Sequence, residues 1–152
     1  MTTRWVLGAL LLALALLGLY LRGLAGRLDR LHVRVEAASN ALDAQLVRRS
    51  GVALELATSG LLDPASSMLL AASAHAAQAA DPATREEAES GLTQALRATL
   101  DAPEADAVLR SSETGRELAE EAAAACQRVV LARRFHNDAA AATLRLRRHR
   151  LG

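Results

Sequence analysis

An uncharged apolar stretch near the N-terminus constrains the fold of this chain more than any other feature. The seventeen residues 5–21 carry no charge and are mostly leucine and alanine. As an α-helix they rise about 26 Å, the short end of what crosses the hydrocarbon core of a bilayer. Trp5 and Tyr20 lie near the two ends, where aromatic rings prefer the headgroup region, and Arg22 can reach the same region. We therefore predict a transmembrane helix over residues 5–25.

A cleaved signal peptide is the alternative interpretation of this stretch. Residues 23–25 have the small-x-small form of a cleavage site. Tyr20 and Arg22 crowd that site, the apolar stretch exceeds the usual length, and a helical pattern continues beyond it. These features favour a retained anchor. The expected organisation is a tail of residues 1–4, the transmembrane helix, and a helical domain over residues 26–152.

Arginines are more numerous after the apolar stretch than before it, and the chain has no lysine. Four lie within residues 22–34, whereas Arg4 alone, with the α-amino group, precedes the stretch. The positive-inside rule then places the bulk of this single-pass protein in the cytoplasm. Abundant arginine and alanine indicate a GC-rich genome, which favours the codons of these residues.

Leucine, valine and alanine recur every three or four residues beyond the apolar stretch, and aromatic residues are few. This spacing indicates amphipathic helices, and the alternation that strands need is absent. The first helix is predicted to continue from the apolar stretch to Gly60, which suits the left-handed position after a helix. Two Asp-Pro pairs, each an N-cap residue followed by proline, predict helices that start at Pro64 and Pro82 and end near residues 80 and 100.

A long last helix completes the predicted fold. Apolar residues repeat at spacings of three and four from Leu118 to Leu146, so a helix is expected from about Ser112 almost to the end of the chain. One short turn near Arg110 precedes it. Because two long outer helices flank a short hairpin, we predict an all-α fold in which the transmembrane helix continues into an antiparallel up-down-up-down four-helix bundle.

Several segments of the predicted bundle match the pattern of one family. They are Arg-Val at 34–35, Ala-Gln-Leu-Val-Arg-Arg at 44–49, Ser-Gly-Leu-Leu-Asp-Pro at 59–64 and Leu-Ala-Arg-Arg-Phe-His-Asn-Asp-Ala at 131–139. Over roughly residues 28–150 the chain resembles the LemA family of membrane proteins, especially its actinobacterial branch. The resemblance implies an antiparallel helical bundle on an anchor in a bacterial cell membrane, with no established catalytic activity. His136 stands where that family usually has tyrosine.

His136, Asn137 and Asp138 form the most distinctive polar cluster of the sequence. His136 falls on the apolar stripe of the last helix, with the other two beside it. We expect a structural polar seam, in which Gln45 or Asn40 of the first helix satisfies the histidine and fixes the helix register. Contact with a partner and a chemical role are the alternatives.

The one concentrated charge patch consists of Arg145, Arg147, Arg148 and Arg150. At a helix C-terminus such residues complement the helix dipole. Because a last helix that returns along the first ends near the membrane, these arginines are also predicted to contact anionic lipid headgroups or a partner. No aromatic residues interleave them, which disfavours nucleic-acid binding.

Catalytic, cofactor and metal sites are not expected. His32 lies near Asp29 and Glu36, but the paired Glu-x-x-His motifs of a di-metal bundle are absent from the sequence. Cys126, the single cysteine, is predicted to be a small buried core residue and not a nucleophile. No phosphate-binding glycine loop occurs, and no small-molecule substrate is indicated.

These features together predict a membrane-anchored scaffold or interaction protein that is not an enzyme. It would hold a protein partner, or a second copy of itself, at the bilayer. The alternative is a lipid-organising protein, whose C-terminal arginines gather anionic headgroups.

Overall fold

Over the residues that the structure describes, the protein forms five α-helices. The computed structural model describes the backbone of residues 2–148, with the side chains of all residues there except 2–4, 6, 7, 9, 21, 23–32 and 146–148. The helices are α1 (Thr2–Thr58), α2 (Pro64–Ala79), α3 (Arg85–Leu100), α4 (Pro103–Arg110) and α5 (Glu113–Arg148). No strand occurs over residues 2–148, so the prediction of an all-α chain is confirmed for this part.

α1 is a single helix of 57 residues that begins in the apolar stretch and ends in the bundle. At about 1.5 Å per residue it is roughly 85 Å long. It ends where predicted, because Gly60 adopts a φ of 75° that side chains with a Cβ rarely tolerate.

A membrane span was predicted over residues 5–25. Within the part of the chain that the structure describes, no helix is both long enough and apolar enough to cross a bilayer, so that prediction gains no support here. The side chains of residues 23–25 and of the predicted tail, residues 1–4, lie outside the described part.

The two Asp-Pro pairs start their helices differently. Asp63 caps α2 as predicted, since its carboxylate accepts from the amides of Ala65 at 3.0 Å and Ser66 at 3.1 Å. Asp81 likewise accepts from two amides, but α3 begins at Arg85 and not at Pro82. Here the carboxylate also accepts from the hydroxyl of Thr84, so residues 82–84 form a separate turn before the helix.

The helices pack as an antiparallel bundle. α5 lies along α1, α2 folds back on α1, and α3 returns beside α2. Buried apolar side chains fall only within residues 46–132 of the described chain, so the packed core lies in the half of α1 farther from the apolar stretch. Leu56, Leu70 and Leu92 are fully buried there. The helical bundle that the sequence predicted is therefore confirmed.

α4 is an additional helix where the sequence predicted a single turn. It packs against the start of α5, with Leu109 and Ala105 buried. Gly115 makes this contact possible, because a Cβ at that position would overlap the backbone carbonyl of Leu109. Proline at the first position of α4 favours helix formation there. The prediction of a single turn gave this local signal too little weight.

Candidate functional site

A buried ion pair joins α1 to α3 at the centre of the bundle. Arg49 of α1 and Glu89 of α3 form a salt bridge, and each side chain is only 4% exposed. The Arg49 nitrogen in this salt bridge, Nη2, also donates to the backbone carbonyl of Glu89 at 3.1 Å. The other terminal nitrogen donates to Thr93 Oγ1 at 2.9 Å. A charge removed from water is tolerated only with such multiple partners, so this cluster is a built feature of the fold.

The sequence contained a signal for this pair that was missed. Arg49 lies on the same helical stripe as Leu46, Ala53 and Leu56, all of which are buried. A charged residue on an otherwise apolar stripe is a marker of a buried polar contact. Glu89 gives no comparable signal, because an acidic residue near the start of a helix is already explained by the helix dipole.

A cleft of about 400 Å³ opens between α3 and α5 beside this pair. Its walls are mainly apolar, and its floor includes the buried Arg49. Arg97 and Arg133 are exposed at its mouth, and Asp101 is the acidic residue of the lining. Six apolar or weakly polar residues complete the walls: Leu96, Leu100, Ala123, Cys126, Val129 and Val130. A concave, apolar lining with a few polar groups is the usual form of a small-molecule site.

Cys126 is half-buried in the wall of this cleft and not fully in the core, which corrects the sequence prediction. Burial raises the pKa of the Cys126 thiol, while the positive charges of Arg49 and Arg97 oppose that rise. The thiol is therefore mostly protonated at neutral pH and a weak nucleophile. Arg97 contributes positive charge to the cleft, whereas the charge of Arg49 is balanced by Glu89.

A second polar cluster joins the two long helices. Glu121 of α5 accepts from Arg48 of α1 at 2.7 Å and from Arg128 of its own helix at 2.8 Å. The hydrogen bond from Arg48 is the main cause of a lowered pKa for the Glu121 carboxyl, which burial opposes. This contact links the two long helices outside the apolar core.

The predicted polar seam is only partly enclosed. His136 is half-buried, whereas Asn137 and Asp138 are exposed. The Nδ1 atom of His136 is buried without a hydrogen-bond partner, and so is the side-chain oxygen of Gln45. Asn40 is exposed. The expected hydrogen bond to Nδ1 is therefore not formed.

A groove of about 310 Å³ runs between α1 and α5 beside Gln45. Ala38, Ala41 and Gln45 line it on α1. On α5 it is lined by Arg128, Leu131, Ala132 and Phe135. Because alanine side chains are short, they leave space between the helices that larger residues would fill.

The remaining predicted site residues are placed as follows. Trp5, Tyr20 and Arg22 are exposed on α1, and Arg145 is exposed near the end of α5. The side chains of Arg147 and Arg148, and the whole of Arg150, lie outside the described residues, as do the side chains of Asp29 and His32. Among described side chains, no group of three histidine, cysteine or acidic residues is arranged to hold a metal ion.

Comparison with known proteins gives no family assignment. No family model, curated protein or solved structure matches this chain.

Proposed function

We propose that the protein is a membrane-anchored helical scaffold that associates with a second copy of itself and catalyses no reaction. We include the resemblance to the LemA family in this proposal, because it agrees with such a role. Two features support it, the exposed apolar part of α1 and the groove between α1 and α5.

The exposure of the apolar part of α1 carries the proposal of an anchor. The described leucines between residues 10 and 19 are all more than half exposed, and Trp5 is 82% exposed. A contiguous apolar surface of this size is unfavourable in water and marks a lipid or protein contact. The length of the stretch and the aromatic residues at its ends fit a bilayer better than a protein groove.

Membrane extraction of the full chain tests the anchor. Leu12→Arg with Leu16→Arg places two charges in the proposed span, at an insertion cost of about 2.5–3.5 kcal/mol each. We expect this variant to be released from membranes by alkaline carbonate, while Leu12→Ala with Leu16→Ala stays bound. Carbonate release of the unchanged chain would overturn the anchor.

The groove between α1 and α5 supports association with a second copy. Phe135 is 69% exposed and Leu131 is 51% exposed. Both side chains border the groove beside Ala38 and Ala41 of α1. Two chains anchored in one membrane lie side by side at equal height. A two-fold axis normal to the membrane then places the exposed Phe135 of each chain in the groove of the other.

Sedimentation equilibrium of the full chain in density-matched detergent tests this contact. We expect a dimer, and a monomer for Phe135→Glu, because the ring that fills the partner's groove is lost and a carboxylate would be buried in its place. Met68→Glu is the control, since Met68 is equally exposed but lies on α2, away from the groove. A monomeric unchanged chain, or a Phe135→Glu variant that stays dimeric, would reject self-association through this surface.

Lipid organisation by the C-terminal arginines is the second candidate function, and the helix register favours it. Phe135 lies level with Ala38 and Ala41 in the groove, and α5 runs antiparallel to α1. Equal rise along both helices brings Arg145 level with about residue 30 of α1, a few turns beyond the apolar stretch. A long arginine side chain there can reach a bilayer surface.

Selectivity for spin-labelled phosphatidylglycerol over phosphatidylcholine tests this candidate on the reconstituted full chain. Arg145→Gln with Arg148→Gln should reduce that selectivity, because each arginine near an anionic surface contributes about 1 kcal/mol. Arg110→Gln with Arg116→Gln removes the same charge from the opposite end of the molecule and should leave it unchanged. Equal effects in the two pairs would exclude a specific C-terminal lipid contact.

A further inference from the structure

We propose that the cleft between α3 and α5 is a binding site for an amphipathic anion, an aliphatic chain that carries one acidic headgroup. The aliphatic chain lies against the apolar walls and the headgroup is held by arginine. This site is separate from the α1–α5 groove and does not depend on self-association, although its test in nanodiscs uses the anchor proposed above.

The first observation is the chemistry of the lining. Leu96, Leu100, Val129 and Val130 supply aliphatic walls from two helices, within a volume typical of small ligands. Aromatic rings are absent from this lining, so stacking with a planar ligand is not provided for. A flexible hydrocarbon chain suits such walls.

The second observation is the placement of charge. Arg97 and Arg133 project from α3 and α5 at the mouth of the cleft, where both are exposed. Asp101 supplies less negative charge than the arginines supply positive charge, so the mouth favours an anion over a cation. Guanidinium groups bind carboxylate and phosphate oxygens with two parallel hydrogen bonds.

Arg49 is a fixed part of the floor of the cleft. It is 96% buried, and its terminal nitrogens are engaged by Glu89 and Thr93. The positive charge that an entering anion meets therefore comes from Arg97 and Arg133 at the mouth.

Protection of Cys126 tests the site, because this single cysteine lies in the cleft wall. The full chain in phosphatidylcholine nanodiscs is alkylated with N-ethylmaleimide at about pH 8, where the thiol reacts measurably. Octanoate at about ten times its Kd should slow alkylation about tenfold, since only the unoccupied fraction reacts. Octanol has the same chain without the charge and should protect much less. Equal protection by octanol, or none by octanoate, would overturn the proposal.

Two variants separate binding from folding. Arg97→Gln with Arg133→Gln removes only exposed charges and should weaken octanoate binding about tenfold or more, as expected for charge-assisted hydrogen bonds. Ala123→Phe fills the cleft from an exposed position and should abolish protection. Arg116→Gln with Arg134→Gln, which lie outside the lining, is the control. Each variant is compared with its own ligand-free rate, and an unchanged octanoate Kd in the double mouth variant would refute the role of arginine.

The natural ligand could be a free acid or the acyl chain of an anionic lipid, and the nanodisc composition distinguishes these sources. One outcome is slow alkylation of Cys126 in phosphatidylglycerol nanodiscs without octanoate, with the faster rate restored by Arg97→Gln with Arg133→Gln. This outcome identifies the ligand as a lipid. Protection by octanoate alone assigns it to a free acid. Each result supports the amphipathic anion, and the absence of protection in both arms contradicts it.

Discussion

The guanidinium of Arg49 lies where the stripe of α1 otherwise carries leucine, valine and alanine. Its charge is balanced by Glu89, which comes from a different helix forty positions along the chain. Desolvation of two charges offsets most of their attraction, so such a pair adds little net stability but fixes which surfaces meet. We interpret the pair as a device that positions α3 on α1 and thereby shapes the wall of the cleft.

Removal of one partner should therefore be costly. We expect Glu89→Ala to lower the free energy of unfolding by about 3–5 kcal/mol, because Arg49 is left buried and unpaired. Asp43→Ala breaks the exposed Asp43–Arg85 pair and should cost less than about 1 kcal/mol. Thermal unfolding of the full chain, followed by circular dichroism in nanodiscs, measures both. The double variant Arg49→Met with Glu89→Leu should recover much of the loss, and similar losses for Glu89→Ala and Asp43→Ala would contradict this account.

At the residue scale, the sequence correctly predicted features that depend only on neighbouring residues. Gly60 and Asp63 were assigned correctly because a positive φ and an N-cap depend on a few neighbouring residues. The Arg49–Glu89 pair depends on how two helices meet, and no local pattern specifies its partner. The same limit applies to His136, whose expected hydrogen bond to the first helix is not formed, since it depends on how α1 and α5 meet.

At the scale of elements, the junction of α4 and α5 depends on one absent side chain. Gly115→Ala should destabilise the protein by about 1–3 kcal/mol, because its Cβ would displace the backbone of Leu109. Gly51→Ala makes the same change on an exposed part of α1, where a Cβ meets no atom within 4 Å, and should stabilise by about 0.5–1 kcal/mol. Chemical denaturation of the two full-length variants measures the difference. Effects of the same sign would show that α4 does not pack as described.

The contact between α1 and α5 should depend on pH through Glu121. The hydrogen bond from Arg48 lowers the pKa of this carboxyl in the folded protein. Its stabilising effect is therefore fully present above the unfolded value of about 4.3 and is lost as pH falls through the lower folded pKa. The difference in Tm between the unchanged chain and Glu121→Gln should shrink as pH falls below about 4. Glu120→Gln, on the exposed face of α5, is the control, and a difference that is constant with pH would exclude this linkage.

At the scale of the whole molecule, periodicity and capping predicted an all-helical chain with a long last helix, and both were found over the described residues. The cleft was not predicted, since it arises from the spacing between α3 and α5 and has no counterpart in either helix alone. The sequence predicted features within a single helix better than features formed between two helices. A site formed between two helices is seen only in the three-dimensional structure.

The continuity of α1 has a mechanical consequence. One unbroken helix joins the apolar stretch to Arg49 at the floor of the cleft, without a turn between them. With the proposed anchor in place, α1 acts as a lever arm of roughly 50 Å beyond the bilayer, so a tilt of about 10° at its base sweeps the far end by close to 10 Å. Changes in bilayer thickness, which alter helix tilt, would therefore move the cleft sideways relative to a neighbouring chain.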